Sequence, residues 1–272
     1  MDKTDLKYWL RSGSRQFMSH RRTKSRQVFT PGVTATYTYR GRPLHYRPGS
    51  SDVFDIYEIL LKKDYKAAYW LPQAVDPRVI LDIGANIGLA AVYLANRFPA
   101  ASITCFEPMA DNFALLRQNI APYPQIQAYN LALGGQDGQR TIFASEGGEG
   151  IFTGNSFYGL GVDQQRASQV QVRDPASLLP QLGLGEIDLI KIDTEGAEWE
   201  ILSRFDTGLL SRVKWIIGEL HGIDDFKLLD YLSTWFLIDV KKTLNKRLFE
   251  FNALNRQWPL RLSGREIRRL QY

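Results

Sequence analysis

The amino-acid sequence predicts an α/β fold in which a mostly parallel sheet carries helices on both faces. From residue 79 onward, short apolar runs typical of buried strands alternate with helical stretches, which is the pattern of a parallel sheet. The first unit is the apolar run 79–83, a glycine-containing turn, a helical stretch over 89–97 and a second apolar run over 102–106. Such a unit is typical of a nucleotide-binding corner, because glycine lets backbone N–H groups approach a ligand and the helix N-terminus favours negative charge.

The composition is that of one folded domain with extensions. A chain of 272 residues with 44% hydrophobic and 12% aromatic residues can bury a core, which excludes wholesale disorder. Cys105 is the single cysteine, so a disulfide framework is excluded and a reducing compartment is favoured. No apolar run reaches the length of a membrane span, and the first residues lack the apolar segment of a signal peptide. We therefore expect a soluble, cytoplasmic protein.

Positive charge is concentrated at both ends of the sequence. Residues 1–47 hold 11 Lys and Arg against 2 acidic residues, and residues 241–272 hold 9 against 2, whereas the middle is acidic. We divide the chain into a basic N-terminal extension over 1–75, a ligand-binding α/β domain over 76–255 and a basic C-terminal tail over 256–272. The basic ends are interpreted either as solvated extensions or as a peripheral contact with an anionic surface.

The N-terminal extension is expected to contain a β-hairpin followed by a helix. Residues 33–46 form two β-branched and aromatic stretches around the turn sequence Arg40-Gly41-Arg42. Ser51 or Asp52 is a suitable N-cap for a helix over 53–63.

The remaining elements are expected in alternating order, with one interruption. They are a helix at 111–120, strands at 126–130, 140–144 and 170–172, a helix at 175–182, a strand at 187–193, a helix at 195–205 that Gly208 helps to end, a strand at 213–218, a helix at 226–236 capped by Asp224 or Asp225, and strands at 237–240 and 247–251. The interruption, residues 146–161, combines six glycines with Phe152, Phe157 and Tyr158. This mixture favours a mobile substrate flap, with a plain surface loop as the alternative.

Polar side chains follow the predicted strands at the point where each strand ends. Ligands of open α/β sheets bind outside the C-terminal ends of the strands, so these side chains should converge on one crevice. They are Asp82, Glu107, Asn130, Asp193, Glu219 and His221. Glu107, about twenty residues beyond the glycine turn, is placed to accept hydrogen bonds from the hydroxyls of a ribose.

The glycine turn has the spacing Asp82-x-Gly84-x-Asn86-x-Gly88 instead of the G-x-G-x-x-G of dinucleotide-binding turns. Further distinctive segments are Phe106-Glu107-Pro108, Leu131-Ala132-Leu133-Gly134 and, most specific, Lys191-Ile192-Asp193-Thr194-Glu195-Gly196-Ala197-Glu198. Together with residues 46–52 and Asp64-Tyr65, these segments resemble the FkbM family of class I S-adenosylmethionine (SAM) methyltransferases. The resemblance spans roughly residues 45–240.

The resemblance implies a Rossmann-like class I methyltransferase fold with a seven-stranded sheet, SAM as cofactor, and O-methylation of a hydroxyl on a sugar or secondary metabolite. The SAM-binding residues that it implies are Asp82, Gly84, Ala85, Asn86, Gly88, Glu107, Asn130 and Asp193. It also places Asp52 and Tyr65 at the mouth of the cofactor site, although Asp52 would equally serve as a helix cap. A nucleic-acid substrate is not expected, because the D/N-P-P-Y/F motif of amino-methylating enzymes is missing after the fourth core strand.

Three residues are candidates for the chemistry. His221 is the preferred general base, because the unperturbed imidazole titrates near neutral pH. Asp193 and Glu195 are the other candidate catalytic residues, as the base or as ligands of the cofactor. Their spacing, with Glu219 nearby, would also suit one hard divalent cation, but no metal ligand is assigned.

Two further acidic residues, Glu198 and Glu200, are interpreted as solvated helix residues. Two other functions remain open at this point: an NAD(P)-linked dehydrogenase on a Rossmann-like fold, and a non-catalytic module that binds an anionic surface. The sequence does not specify the oligomeric state.

Overall fold

The computed structural model describes most of the chain. The described residues are 32–61, 69–72, 74–145, 155–156, 162–222, 224–242 and 249–258. The basic residues at 1–29, Tyr65 and most of the tail at 256–272 lie outside this part, so their roles stay predictions. No described helix combines the length and the apolar character that a membrane crossing requires.

The described elements alternate as the sequence predicts. In chain order they are β1 (Ala35–Tyr39), β2 (Arg42–Tyr46), α1 (Asp52–Asp55), a π-helical segment (Ile56–Leu61), β3 (Val79–Ile83), α2 (Leu89–Arg97), β4 (Ser102–Phe106), α3 (Ala110–Ile120), β5 (Ile126–Tyr129), β6 (Ala132–Leu133), β7 (Gly138–Ser145), β8 (Asn155–Ser156), β9 (Val162–Arg173), α4 (Pro175–Gln181), β10 (Leu189–Ile192), α5 (Glu198–Leu202), α6 (Thr207–Leu210), β11 (Trp215–Leu220), α7 (Asp225–Ser233), β12 (Phe236–Lys242) and β13 (Phe249–Asn255).

Seven strands form one mostly parallel sheet in the order β12–β13–β11–β10–β3–β4–β5. Only β13 runs antiparallel to its neighbours, β11 and β12. From β3 the chain proceeds outward to β4 and β5, whereas from β10 it proceeds to β11 on the other side. The C-terminal ends of β3 and β10 therefore form the switch point at which such sheets bind ligands. The predicted Rossmann-like α/β fold is confirmed.

Both faces of this sheet are buried, as its continuously apolar strands predict. Ile80 and Leu189 belong to a hydrophobic cluster that includes α2 and α3. Their chain neighbours Leu81 and Ile190 belong to a second cluster, which includes α4 to α7. Cys105 is buried in the first cluster, as expected of a small core residue.

The predicted helix over 195–205 is wrong in its extent. The structure has two short helices, α5 and α6, and Asp206 is the N-cap of α6 because its carboxylate accepts from the Leu209 N–H. Gly208 lies inside α6 and does not end a preceding helix. Before α7, Asp224 adopts a left-handed φ of 54° without a capping bond, and Asp225 accepts from the Gly222 N–H at 2.7 Å.

A second, four-stranded sheet of order β6–β9–β7–β8 interrupts the alternation. The predicted strands at 140–144 and 170–172 are parts of β7 and β9, which are longer because they pair with each other over most of their length. The proposed flap lies outside the described residues except for β8, so its mobility stays a prediction.

The N-terminal hairpin is confirmed and packs on α3. Asn119 accepts from the His45 N–H at 2.6 Å and donates to the carbonyls of His45 and Ile87 at 2.9 and 2.8 Å. Arg42 donates to the Pro122 carbonyl at 2.8 Å. The described hairpin is therefore linked through Asn119 to the glycine turn that follows β3.

Candidate functional site

A cleft of about 860 Å³, including the space open to solvent at its mouth, lies at the C-terminal ends of the sheet strands. The glycine turn, the β4 end and the β10 end form its walls, and the entry segment before α1 contributes Arg47 and Ser51. The lining residues are Arg47, Ser51, Ile83, Gly84, Asn86, Phe106, Glu107, Pro108, Met109, Asn112, Leu131, Ala132, Leu133, Ile142, Asp193, Thr194, Glu195 and Ile201.

The glycines of the turn are required first by packing. A Cβ on Gly84 would lie 1.9 Å from the Asp193 carbonyl oxygen, and a Cβ on Gly88 would lie 2.6 Å from Leu116 Cδ1. Both glycines also have positive φ values, 76° and 86°. Gly84 lines the cleft, whereas Gly88 and Ala85 are not among its lining residues. Gly88 thus has a role in helix packing, and its contact with a ligand stays a prediction.

Asn86 is the residue of the turn that faces the cleft with an unsatisfied polar atom. It has a left-handed φ of 50°. Its side-chain Oδ1 is buried without a hydrogen-bond partner among the described residues. Since buried polar atoms are normally paired, this oxygen is available to a donor on a bound ligand.

Asp82 does not reach the cleft but lies beneath it. Its side chain is fully buried and its Oδ1 is 3.1 Å from Lys191 Nζ, which also donates to the Gly84 carbonyl at 2.6 Å. Burial alone would lower the pKa of Lys191, but the charges of Asp82 and Asp193 raise it, so the lysine stays protonated. Asp82 thus acts on the site through Lys191 and the turn.

Glu107 lies in the cleft at the end of β4, as predicted. It is buried, and it accepts from the Asn86 N–H at 2.8 Å, the Met109 N–H at 2.9 Å and Asn112 Nδ2 at 3.3 Å. Burial raises the pKa of Glu107, although these hydrogen bonds oppose the shift. The carboxylate therefore also fixes the glycine turn.

Asn130 is a supporting residue. It is exposed, is not among the cleft-lining residues, and donates from Nδ2 to the carbonyls of Glu107 and Pro108 at 2.9 and 3.0 Å. Asn130 thus holds the loop after β4, and its direct contact with the cofactor stays a prediction.

The entry segment contributes an arginine that the sequence reasoning did not single out. Arg47 donates to both oxygens of the fully buried Asp52 carboxylate and to Asn112 Oδ1, each at 2.8 or 2.9 Å. The N-cap of α1 is Ser51, whose side chain makes no capping bond, while the Asp52 carboxylate accepts from Arg47. Asp52 therefore orients Arg47 at the mouth of the cleft.

Beside the Asp193 end of the cleft lies a cluster of carboxylates around one imidazole. His221 Nδ1 is 3.0 Å from Glu198 Oε1, while Nε2 is 3.4 Å from Glu195 Oε2 and 3.7 Å from Asp193 Oδ1. Tyr69 donates to the other oxygen of Asp193 at 3.5 Å. The structure thus brings the three predicted catalytic residues together.

The interpretation of Glu198 and Glu200 as solvated residues is wrong. The Glu198 side chain is 1% exposed, and its Oε1 accepts from the N–H groups of Thr194 and Gly196 as well as meeting His221. Glu200 accepts from the Gly135 N–H at 2.6 Å and pairs with Arg140. Helical position alone does not reveal that these carboxylates face an adjacent loop.

The charges and the burial of this cluster shift the pKa values of His221 and Glu195 away from their usual values. Burial would lower the pKa of His221, but the Glu198 hydrogen bond and the charges of Glu198, Asp193 and Glu195 raise it to about 10. Burial raises the pKa of Glu195 to about 8, with His221 opposing and the neighbouring carboxylates adding to the shift. The imidazole is therefore cationic near neutral pH, contrary to the expectation for a free general base.

Lys191 belongs to the most specific sequence motif, but the motif alone does not indicate its role. The signal was present, since a lysine inside an otherwise apolar buried strand requires a partner. Its register partner on β3 is Asp82. Tyr69 had no comparable signal, because it lies in a loop whose course the sequence does not define.

Comparison with known proteins places this geometry in a family. The family model described as "Methyltransferase FkbM domain" matches residues 82–251. The AMB antimetabolite synthetase AmbE of Pseudomonas aeruginosa is 30% identical over 181 residues, which cover 54% of this chain and 8% of AmbE. The 2-O-methyltransferase NoeI of Sinorhizobium fredii is 27% identical over 139 residues, which cover 47% of this chain and 57% of NoeI. The match thus spans less than two thirds of the length of either relative.

Solved structures show a more distant likeness. An rRNA methylase from Streptococcus thermophilus is 10% identical, with a TM-score of 0.42, and the match covers 67% of this chain and 89% of that one. The assignment of the fold rests on the sheet order and the family match.

Proposed function

Because the chain belongs to the FkbM methyltransferase family, we propose that it is a SAM-dependent O-methyltransferase acting on a hydroxyl of a sugar or secondary metabolite. The observation that carries the proposal is the cleft at the strand ends, with Glu107 at the β4 side and Asp193 and Glu195 at the β10 side. The name of the relative NoeI, a 2-O-methyltransferase, supports oxygen as the nucleophile. The family match leaves the dehydrogenase alternative without support.

The residues present fit SAM by two observations. The cleft is lined by both the glycine turn and the buried Glu107 carboxylate at the end of β4, which suits a nucleoside whose ribose hydroxyls need an acceptor. The buried Asn86 Oδ1 offers an unused acceptor. Glu107 would hold the ribose hydroxyls, and Asn86 would accept from a donor of the aminoacyl part. When bound, SAM supplies an electrophilic methyl group on a cationic sulfonium.

Asp193 and Glu195 lie beside that cation, and Glu195, whose pKa burial raises to about 8, becomes mostly ionised only above neutral pH. Both line the cleft, whereas His221 does not. Its Nδ1 is occupied by Glu198. We therefore move the expected role of proton acceptor from His221 to Glu195, which would take the proton of the acceptor hydroxyl while Asp193 orients that hydroxyl. Glu195 has a left-handed φ of 56°, a strained conformation that is common at functional sites.

Calorimetric titration with S-adenosylhomocysteine (SAH) and with NAD, followed by methyl transfer from labelled SAM to a panel of hydroxyl acceptors, tests the proposal. We expect SAH to bind and NAD not to bind. Glu195→Gln should lower turnover on the order of 10²–10⁴-fold with little change in SAH affinity. The exposed Glu186 precedes β10, at the end of that strand opposite the cleft. It provides the control Glu186→Gln. Binding of NAD in place of SAH would refute SAM as the cofactor. Full turnover in Glu195→Gln would refute the role of Glu195 as proton acceptor.

A further inference from the structure

We propose that Asp193, Glu219 and His221 form a binding site for one divalent metal ion at the Asp193 end of the cleft. One potential ligand atom of each residue lies within 4.8 Å of those of the other two. Asp193 follows β10, while Glu219 and His221 are at the end of β11, the neighbouring parallel strand. Ligands on adjacent strand ends are held at a fixed separation, which favours a preformed site.

His221 provides an observation that is independent of the acidic cluster. Its side chain is only 6% exposed, and its Nε2 is buried without a hydrogen-bond partner among the described residues. This nitrogen instead faces Asp193 Oδ1 and Glu195 Oε2 at 3.7 and 3.4 Å. In the metal-free protein this nitrogen carries a proton that makes no hydrogen bond, and a divalent cation would displace that proton and fill the space among the carboxylates.

The distance between the His221 and Asp193 ligand atoms suits coordination by a single ion. Imidazole nitrogen and carboxylate oxygen bind Zn²⁺ at about 2.0–2.2 Å, so two ligand atoms on the same ion lie roughly 3–4 Å apart. The 3.7 Å between His221 Nε2 and Asp193 Oδ1 falls in this range. It is longer than a hydrogen bond, so the two groups do not satisfy each other directly.

Two of the ligands also have the outer partners that metal sites use. A metal-bound histidine typically gives its other ring N–H to a carboxylate, which fixes the ring and its tautomer. His221 Nδ1 meets Glu198 Oε1 at 3.0 Å. Tyr69 donates to Asp193 Oδ2, which leaves Oδ1 directed toward His221 Nε2. Glu198 and Tyr69 are thus positioning residues of the proposed site.

The ligand set indicates the kind of ion. Two carboxylates favour Mg²⁺, Ca²⁺ and Mn²⁺, while an imidazole favours Zn²⁺ and its neighbours, so Mn²⁺ is compatible with both ligand types. Three protein ligands leave coordination positions open. Because Asp193 also lines the cleft, an acceptor hydroxyl could occupy one of them and lose its proton more easily. This catalytic role rests on the proposed function, whereas the binding of the ion does not.

Electron paramagnetic resonance titration with Mn²⁺ alone, without SAM or acceptor, tests the site. We expect one bound Mn²⁺ per chain in the wild-type protein. Glu219→Gln, which preserves shape, and His221→Ala should each weaken binding at least tenfold, and Glu198→Gln should weaken it about 10–100-fold. Glu186→Gln is the matched control and should bind like the wild type.

SAH titration and thermal unfolding of the same proteins show whether each variant is folded and whether the cofactor site survives. Loss of Mn²⁺ binding with retained SAH binding supports the metal site. Absence of stoichiometric Mn²⁺ binding in a folded wild-type protein, or equal Mn²⁺ affinity in wild type and Glu219→Gln, overturns the metal site and leaves the proposed methyl transfer standing. Failure of SAH binding in the wild type would instead count against the proposed function.

Discussion

Lys191 Nζ lies 3.1 Å from Asp82 Oδ1, and both side chains are almost completely buried. The two residues are directly opposite in the register of β10 and β3. Because Lys191 also donates to the Gly84 carbonyl, the ion pair joins the two central strands to the turn at the floor of the cleft.

The first prediction concerns this ion pair. Lys191→Met should lower the free energy of unfolding by about 3–5 kcal/mol, because it leaves the Asp82 carboxylate buried without a counter-charge. Urea denaturation measures the effect. The double variant Asp82→Leu/Lys191→Met, which removes both charges, should recover part of the loss. A cost below about 1 kcal/mol in the single variant would show that water or another group replaces the ammonium.

The second prediction concerns Glu107. Glu107→Ala should weaken SAH binding by about 1.5–3 kcal/mol, the range for hydrogen bonds to a charged group. The same change frees the Asn86 and Met109 N–H groups, so thermal unfolding must be followed in parallel. Asp111→Asn, on the exposed side of α3, is the control. Unchanged calorimetric affinity in a folded Glu107→Ala protein would exclude the ribose contact.

The third prediction distinguishes a buried Glu198 from a solvated one. Glu198→Ala removes the acceptor of the Thr194 and Gly196 N–H groups, and an unsatisfied buried donor costs about 1–3 kcal/mol. The free energy of unfolding should fall by at least that amount. Glu186→Ala, an exposed substitution, should change it by no more than about 0.5 kcal/mol. Equal effects of the two substitutions would contradict the position of Glu198.

The fourth prediction concerns stability at low pH and the carboxylate of Asp188, which precedes β10 at the end of the strand opposite the cleft. Burial opposes ionisation of Asp188, but hydrogen bonds from Lys214 and from the Arg78 and Val79 N–H groups lower its pKa. Because the folded pKa lies below the unfolded value of about 3.9, this stabilisation is complete above that value and is lost as the pH falls through the folded pKa.

Asp188→Asn should therefore lower stability at neutral pH by about 1.5 kcal/mol, the low end for charged hydrogen bonds because solvent screens the group. The difference from wild type should shrink below about pH 4. Urea unfolding at several pH values measures it, with the exposed Asp239→Asn as control. A difference that does not change with pH would show that the carboxylate charge is not responsible.

Local sequence pattern predicted the sheet strands and the glycine turn, but not all strand bounds, since the strand predicted at 170–172 is part of β9 (Val162–Arg173) and the strand predicted at 247–251 is β13 (Phe249–Asn255). The β3 bounds follow directly from an apolar run between Pro77 and a glycine turn, and no other element type suits that run. The order of the strands was not predicted from the residues, because it depends on contacts between distant segments. The site residues were recognised by their position at strand ends, which is why Glu107 and Asp193 were found.

The misassigned residues share a physical cause. Glu198 lies on a helix, and its burial comes from the loop at Thr194 and from the end of β11, neither of which a local pattern contains. Gly84 lines the cleft as expected, but the approach of the Asp193 backbone, which also requires a glycine there, is not contained in the local pattern. The roles of side chains that connect distant segments can be recognised only from the tertiary structure.

Asn119 bonds to both His45 and Ile87, and this has a consequence for slow motions. Amide hydrogens exchange with solvent only when their hydrogen bonds open, and segments linked by buried bonds open together. The His45 N–H is hydrogen-bonded to the Asn119 side chain, which also donates to the Ile87 carbonyl in the glycine turn. Exchange of the His45 amide hydrogen should therefore slow when SAH stabilises the glycine turn, although His45 is not among the residues lining the cleft. In Asn119→Ala, the His45 amide should exchange at a rate independent of SAH.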